Sequence, residues 1–231
     1  MIQDERLEAI KGILRTKKIV STNELCELLF CSKSTVRRDL LQMEKAGIVR
    51  RTRGGVALAA DRAIELPIHF RKNKNQDKKE AIAKEAKRYL ENDLLIFLDA
   101  STTFRALVPY IVSLDTASIV TNSLSIASEL GQYDHLQVLI PSGRIFAGHD
   151  AILGMQTLNS LRDFAFDLAF FSCKSLDPNG AYEAEYEQAL VKKNMLKQAK
   201  CSVLLCDTTK IGQSSLYHVA TQREFTEVIT D

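Results

Sequence analysis

Ser32-Lys33-Ser34-Thr35-Val36-Arg37-Arg38-Asp39-Leu40, closed by Gly47 and followed by Arg50-Arg51-Thr52-Arg53-Gly54-Gly55, decides how the first part of this chain folds. Val36, Leu40 and Met43 recur at helical spacing, basic and hydroxyl groups crowd the start of the same helix, and Gly47 stops it. A cationic turn follows. This is the makeup of a helix that enters a DNA major groove end-first, beside a wing that grips phosphate.

Upstream, Leu7, Ile10 and Leu14 predict a helix over about residues 3–16, and Ile19-Val20 a minimal strand. Ser21 and Glu24 fit a capping box, in which hydroxyl and carboxylate satisfy the open amides of a second helix. Leu25, Leu28 and Leu29 form its expected buried stripe, and Cys31-Ser32 a tight turn. Downstream, Ile48-Val49-Arg50-Arg51 reads as a strand, Arg53-Gly54-Gly55 as a turn and Val56-Ala57-Leu58 as the returning strand. Residues 1–58 are therefore expected to form a winged helix-turn-helix.

The partner this implies is double-stranded operator DNA. Thr35, Arg37 and Arg38, with Lys33 and Ser34 beside them, are the expected base or phosphate contacts, and Arg50, Arg51 and Arg53 the backbone grips. Val36 and Leu40 should be buried, and Asp39 should orient an arginine. A small helical domain with a solvated charged face is the plainer alternative, but order, spacing and wing together favour DNA. Charge agrees: residues 1–56 hold 12 Lys/Arg against 7 Asp/Glu, while the remainder holds 19 against 22. The polyanion partner belongs to the basic head alone.

A chain of 231 residues makes one large domain or two smaller ones, and 45% hydrophobic with 26% charged residues is ordinary for a globular protein. No apolar run approaches the roughly 20 residues that span a bilayer. The polar start Met1-Ile2-Gln3-Asp4-Glu5-Arg6 lacks a signal-peptide core, so a cytoplasmic protein without membrane association is expected. Cys26, Cys31, Cys173, Cys201 and Cys206 have no framework spacing and no histidine pair beside them. They read as reduced core thiols, with no metal.

Residues 59–78 change character. Asp61 to Pro67 is mixed, and Arg71-Lys72-Asn73-Lys74-Asn75-Gln76-Asp77-Lys78-Lys79 is polar without an apolar period, as in a linker. Over 79–231 helical segments alternate with apolar runs: a helix through Tyr89-Leu90, then Leu94–Leu98, a helix from Thr103 to Ile111, Ser118–Val120, a helix from Leu124 to Leu130, and Leu136–Ile140. Later come Leu168–Phe171, a helix from Gln188 to Ala199, and Val203–Cys206. Such alternation predicts an α/β domain with a mostly parallel sheet covered on both faces.

Each strand ends in polar residues: Asp99, Ser101, Thr102 and Thr103 after one; Thr121 and Asn122 at the next; then Ser142 and Gly143; and lastly Asp207 to Lys210. Open α/β sheets bind ligands at those ends, where helix amides suit phosphate. Ser101, Thr102 and Thr103 are candidates to cradle a phosphate, Lys210 to neutralise it, and Asp99 and Asn122 to take sugar hydroxyls. Taken singly each is an ordinary helix cap; converging on one sheet edge they favour an effector pocket. His69, His135, His149 and His218 form no cluster in the sequence. No nucleotide-binding glycine motif, Walker lysine or serine elbow is present, so neither a cofactor nor a catalytic set is expected.

Ser34-Thr35-Val36-Arg37-Arg38-Asp39-Leu40 with Gly47, Arg50 and Gly54-Gly55 resembles the signature of the DeoR family of bacterial sugar-metabolism repressors. Glu65-Leu66-Pro67, Arg71, Asn75 and Lys79 are similar to its linker, and Leu98–Thr103, Val120–Ser123 and Asp207–Gly212 to its effector-domain motifs. The resemblance covers essentially the whole chain. It implies an effector domain like ribose-5-phosphate isomerase, a phosphorylated-sugar inducer, and a homodimer or homotetramer. The chain departs from the family at Ser101, Ser142, Ser172 and Ser175, where glycine is usual, at Gln188 for glutamate, and at Arg53 for histidine; Lys192 and Met195 keep its pattern. Glycine lets backbone approach a ligand, so four serines reshape the pocket. Relatives usually continue beyond Val228–Asp231 for a further helix or strand.

The expected function is a DNA-binding repressor of a sugar-catabolism operon, modulated by a phosphorylated sugar. Two alternatives stand beside it: a regulator whose pocket no longer binds, and a phosphosugar isomerase or deaminase with Asp99 or Glu185 as base.

Overall fold

The computed structural model describes residues 2–17, 19–52, 55–58, 68–72, 74–146, 149–213 and 215–231. It separates into two compact units, Met1–Phe70 and Arg71–Asp231.

In the first unit α1 (Gln3–Lys17), β1 (Ile19–Val20), α2 (Thr22–Leu29) and α3 (Lys33–Lys45) precede a hairpin of β2 (Val49–Thr52) and β3 (Gly55–Leu58). Ser21 caps α2, its hydroxyl accepting from the Glu24 amide at 3.1 Å. The Glu24 carboxylate does not complete the expected box; it pairs with Lys17 at 2.5 Å, because a flexible cation outcompetes a neutral amide for it. Ser32 caps α3, accepting from the Thr35 amide. The helix ends in a Schellman turn, with Ile48 N on Met43 O at 2.8 Å and Gly47 N on Glu44 O at 3.0 Å. Gly47 takes φ 68°, which is why a glycine stands there.

Leu7, Ile10, Leu14, Leu25, Leu29, Val36, Leu40 and Met43 form the core of this unit. Leu28 does not join them. It is 44% exposed, since Leu25 and Leu29 are one helical turn apart and Leu28 falls off their face. The sheet order is β1-β3-β2, antiparallel, with Arg50 opposite Ala57 and Arg51 opposite Val56. The predicted turn at Arg53 and Gly54 lies outside the described residues, as does most of the expected linker, including Glu65-Leu66-Pro67.

After the short α4 (Ile68–Arg71), the first long helix of the second unit is α5 (Gln76–Ala86). The polar run read as a tether is thus helical from Gln76 onward; its polarity is that of a capped, half-exposed helix start. Six strands follow in one parallel sheet: β4 (Leu95–Leu98), β5 (Ala117–Thr121), β6 (Leu136–Leu139), β9 (Phe166–Phe171), β12 (Ala199–Leu205) and β14 (Glu227–Ile229), ordered β14-β12-β9-β4-β5-β6. Alternate residues face opposite layers. Ile96, Leu98 and Phe170 enter one apolar cluster, Phe97, Ala169, Phe171 and Leu204 the other, as a sheet buried on both faces requires.

The expected helix from Thr103 to Ile111 is broken into a 3₁₀ segment, Thr102–Ala106, and α6 (Val108–Val112). Pro109, in the first turn of α6, cannot donate back to the preceding turn. Helices α7 (Leu124–Leu130), α8 (Met155–Leu161) and α9 (Tyr186–Gln198) complete the cover. A hairpin of β7 (Arg144–Phe146) and β8 (Ala151–Leu153), and an antiparallel sheet of β10 (Ser175–Asp177), β11 (Gly180–Glu183) and β13 (Tyr217–Ala220), are additional. Val228 and Ile229 lie in the edge strand β14. No described helix is long and apolar enough to cross a membrane.

Candidate functional site

Two sites emerge, one in each unit. On the first, Lys33 and Ser34 are exposed at the start of α3 and Thr35 is half-buried. The Ser34 and Thr35 hydroxyls both bond Ser32 Oγ, at 2.8 and 2.9 Å, so these three residues form one cap. Arg37 and Arg38 are exposed, while Val36, Asp39 and Leu40 between and beside them are buried. Among the described residues no side-chain hydrogen bond or ion pair holds Lys33, Arg37, Arg38 or Arg50. Arg51 pairs with Glu44 at 3.2 Å, an exposed contact worth at most about 1 kcal/mol. Arg53 lies outside the described residues.

Asp39, 1% exposed, does orient an arginine, but it is Arg6 of α1. Arg6 Nε donates to Oδ2 at 2.8 Å, Nη2 to Oδ1 at 3.2 Å, and Gln3 adds a bond at 3.3 Å. That bidentate pair raises the Arg6 pKa and fixes α3 against α1, leaving its outer face uncommitted.

On the second unit, the chain runs outward from β4 through β5 to β6, then returns to place β9 on the other side of β4. The β4–β9 gap is the switch point at which open parallel sheets take ligands. Asp99 follows β4 and Ser172 follows β9, and the Ser172 amide donates to Asp99 Oδ2 at 3.0 Å. Lys192 of α9 reaches the same place. Its Nζ lies 2.6 Å from both Asp99 Oδ2 and Glu183 Oε1, and it also donates to the Ser172 carbonyl. Burial alone would push Lys192 toward neutrality; the two carboxylates outweigh it and hold the ammonium charged above its usual range. Asp99 Oδ1 and Gln188 Nε2 are buried here without a partner among the described residues.

Lys210 Nζ stands 3.2 Å from Ser172 Oγ and 3.7 Å from Asp207 Oδ2. Burial pushes the Asp207 carboxyl up, but Lys210, Thr209 and Asn75 together hold it below the ordinary range. Asn75, left-handed at φ 54°, donates through Nδ2 to Asp207 Oδ1 and Thr209 Oγ1, both at 3.0 Å. Lys78 donates to Thr208 Oγ1 at 2.7 Å. Lys79 donates to the Arg71 carbonyl, and burial followed by the nearby Lys210 lowers its pKa to about 8. A cleft of about 500 Å³ beside it is lined by Lys72, Gln76, Lys79, Thr102, Arg105 and Tyr110, among others.

The other sequence candidates divide. Ser101 caps the 3₁₀ segment, accepting from the Thr103 amide at 3.3 Å, and Thr102 and Thr103 are buried beneath it. Thr121 Oγ1 accepts from the Ser123 amide. Asn122 donates to the Ile152 carbonyl at 3.3 Å, while its Oδ1 is buried without a partner among the described residues. Ser142 and Gly143 are exposed and follow β6 at the sheet edge, so the fold does not bring them to the switch point. Gly143 is conformational: φ is 150°, and a Cβ would sit 2.2 Å from Thr157 Oγ1. Ser172, Glu183, Lys192, Asn75 and Lys79 were not among the sequence candidates. Lys192 was findable, since it shares one helical face with buried Gln188 and Met195.

Residues 6–62 match the family profile described as the DeoR-like helix-turn-helix domain, and residues 74–231 the DeoR C terminal sensor domain. The chain is 29% identical over 231 residues to the HTH-type transcriptional repressor GlcR of Bacillus subtilis, covering 100% of this chain and 89% of that protein. It is 26% identical over 232 residues to the glycerol-3-phosphate regulon repressor of Escherichia coli, covering 100% and 92%. Among solved structures, the translation initiation factor eIF-2B of Pyrococcus horikoshii aligns with 98% of this chain and 80% of its own at a TM-score of 0.51 and 10% identity, a likeness of fold alone. A ribose 5-phosphate isomerase from Methanocaldococcus jannaschii covers 60% of this chain and 55% of its own at 17% identity, with a TM-score of 0.44.

Proposed function

Because the chain belongs to the DeoR family of DNA-binding transcriptional regulators, we propose that it represses a sugar-catabolism operon and lets go when a phosphorylated sugar occupies its second unit. The observation that carries the DNA half is the unpartnered, exposed pair Arg37 and Arg38 on a helix whose inner face is anchored by Asp39. Arg38 and Arg37, with Lys33, Ser34 and Thr35, read or grip the major groove; Arg50, Arg51 and Arg53 hold phosphate. The protein works as a dimer or tetramer in the cytoplasm, presenting paired heads about 34 Å apart.

For the effector, Lys79, Lys72, Arg105 and Lys210 supply positive charge for a phosphate. The buried open acceptors Asp99 Oδ1 and Asn122 Oδ1, at the ends of neighbouring strands, suit sugar hydroxyls. Thr121, Ser101, Thr102 and Thr103 shape the floor. Asn75 and Lys78 tie the Asp207–Lys210 turn to the start of α5, so a ligand that draws Lys210 away from Asp207 disturbs the segment leading to the head. The ligand must favour the DNA-incompetent state by a few kcal/mol to act as inducer. The Asp99 carboxylate is neutralised by Lys192 and no histidine faces it among the residues it bonds, so we assign no turnover.

The test is an operator duplex selected from random sequence, titrated with glycerol 3-phosphate and a panel of hexose phosphates. One of them should weaken binding at least tenfold and raise the melting temperature with concentration. A flat response across the panel, with the duplex still bound, leaves the second reading: a regulator with a closed pocket. That reading draws on the four serines and on Lys192, which already occupies Asp99.

A further inference from the structure

Cys173 and Cys206 lie at the carboxyl ends of the neighbouring parallel strands β9 and β12. Phe171 pairs with Leu204, so continuing that register sets Cys173 opposite Cys206. Neighbouring strands run about 4.8 Å apart, within the Cα separation that a disulfide accepts. Here the two sulfurs are 3.7 Å apart, with Cys173 donating to Cys206. All five cysteines are free, and these two are the buried ones. Neither the DNA-reading head nor the effector reading uses them.

We propose that Cys173 and Cys206 are a modification site, a dithiol that a hydroperoxide oxidises to a reversible disulfide. Cys206 is the attacking sulfur. The hydrogen bond from Cys173 lowers its pKa against burial, and the Lys210 ammonium lowers it further against the Asp207 and Asp231 carboxylates. Cys173 is pushed the other way, by its hydrogen bond to Cys206 and by burial, and stays a thiol. In the first step the Cys206 thiolate bonds to one peroxide oxygen and the O–O bond breaks. Hydroxide departs and takes up a proton as water, leaving a sulfenic acid on Cys206. In the second, the Cys173 sulfur attacks Cys206, the S–O bond breaks, and the thiol proton leaves with the hydroxyl as a second water. Two electrons pass from the sulfur pair to the peroxide, and low-molecular-weight thiols return them.

The pair sits close to a contact of the effector site. Ser172 precedes Cys173 and bonds Lys210, which stands four residues after Cys206. A covalent bond between the strand ends clamps the turn carrying Lys210 to the loop carrying Ser172. Where a disulfide forms in a reducing compartment, it is usually transient and sensing or catalytic rather than structural. Burial makes the reaction slower than that of an exposed thiol; the exposed Thr208–Thr209 turn begins two residues beyond Cys206, after buried Asp207.

The experiment treats the full-length folded protein with hydrogen peroxide, blocks remaining thiols, and maps tryptic peptides without reduction. A peptide joining Asp163–Lys174 to Cys201–Lys210, lighter by two hydrogens than its parts and lost on adding dithiothreitol, is expected. It should persist in Cys201→Ser and vanish in Cys206→Ser and in Cys173→Ala. Should either of the last two fail to fold, the linked fragment ions of the unmutated protein assign the bridge to Cys201 or Cys206 directly. A bridge to Cys201, irreversible oxidation of either sulfur without a bridge, or five unmodified thiols after oxidation sufficient to convert a small-molecule dithiol overturns the assignment.

Discussion

Replacing Asp39 with alanine leaves the Arg6 guanidinium without its bidentate partner in a largely buried place, with side-chain exposures of 14% and 1% for the pair. The N-terminal unit should lose about 2–3 kcal/mol in denaturant unfolding followed by circular dichroism, and Asp39→Asn less, since it keeps one acceptor. Lys79 gives a pH dependence. Its pKa falls from 10.5 to about 8, so between those values the unfolded chain binds more protons than the folded one. Its contribution to stability is full above 10.5, and is lost as pH falls through about 8. Melting temperatures of the wild type minus those of Lys79→Met should therefore rise from pH 7.5 to 10, and a flat difference would remove the shift. The buried helix residues of the head were legible because they sat on a helical period, Leu28 being misplaced, whereas the Arg6–Asp39 pair was not, since α1 and α3 meet only in the fold. Ser172 and Glu183 were not, because their roles come from strands that meet only in the folded sheet.

At the scale of elements, α5 shows what periodicity misses. Its first turn is Gln76-Asp77-Lys78-Lys79, polar enough to read as a tether, and it is held by side-chain bonds to a turn more than 120 residues later in the chain, from Asn75 and Lys78. Asn75→Ala loses both amide bonds and forces a left-handed backbone on alanine, and should cost the second unit about 1–3 kcal/mol. Asn75→Gly relieves the backbone and should cost less; equal losses in thermal melts would mean that the backbone strain contributes nothing. Five of the six parallel strands were legible because each carries an apolar run, such as Leu95–Leu98 or Val203–Leu205; the three-residue edge strand β14 was not. The β7–β8 hairpin and the β10-β11-β13 sheet were not, since strands of three or four residues carry too few alternations to stand out. Pro109 marked the break that splits the helix after β4, and Leu28 was misplaced because an eight-residue helix offers only one buried turn.

For the whole molecule, the uneven charge along the chain confines the polyanion to one unit. Operator affinity should fall linearly in logarithm with salt concentration, and Arg50→Ala should lower that slope by about one while weakening all sequences alike. An unchanged slope would take Arg50 off the phosphate backbone. The change of period fell near residue 79, while the two units divide between Phe70 and Arg71, and the contacts that make Asp207 and Lys210 a junction were not legible, since they depend on which strand ends the topology brings together. The most direct measurement is fluorescence anisotropy of a selected operator duplex with wild type, Arg37→Ala and Arg38→Ala, each checked for a folded head by circular dichroism. At least one variant should bind about 5- to 150-fold more weakly, as loss of about 1–3 kcal/mol requires, with relaxed preference at one base pair if it reads a guanine. Wild-type affinity and sequence preference in both variants would contradict the account.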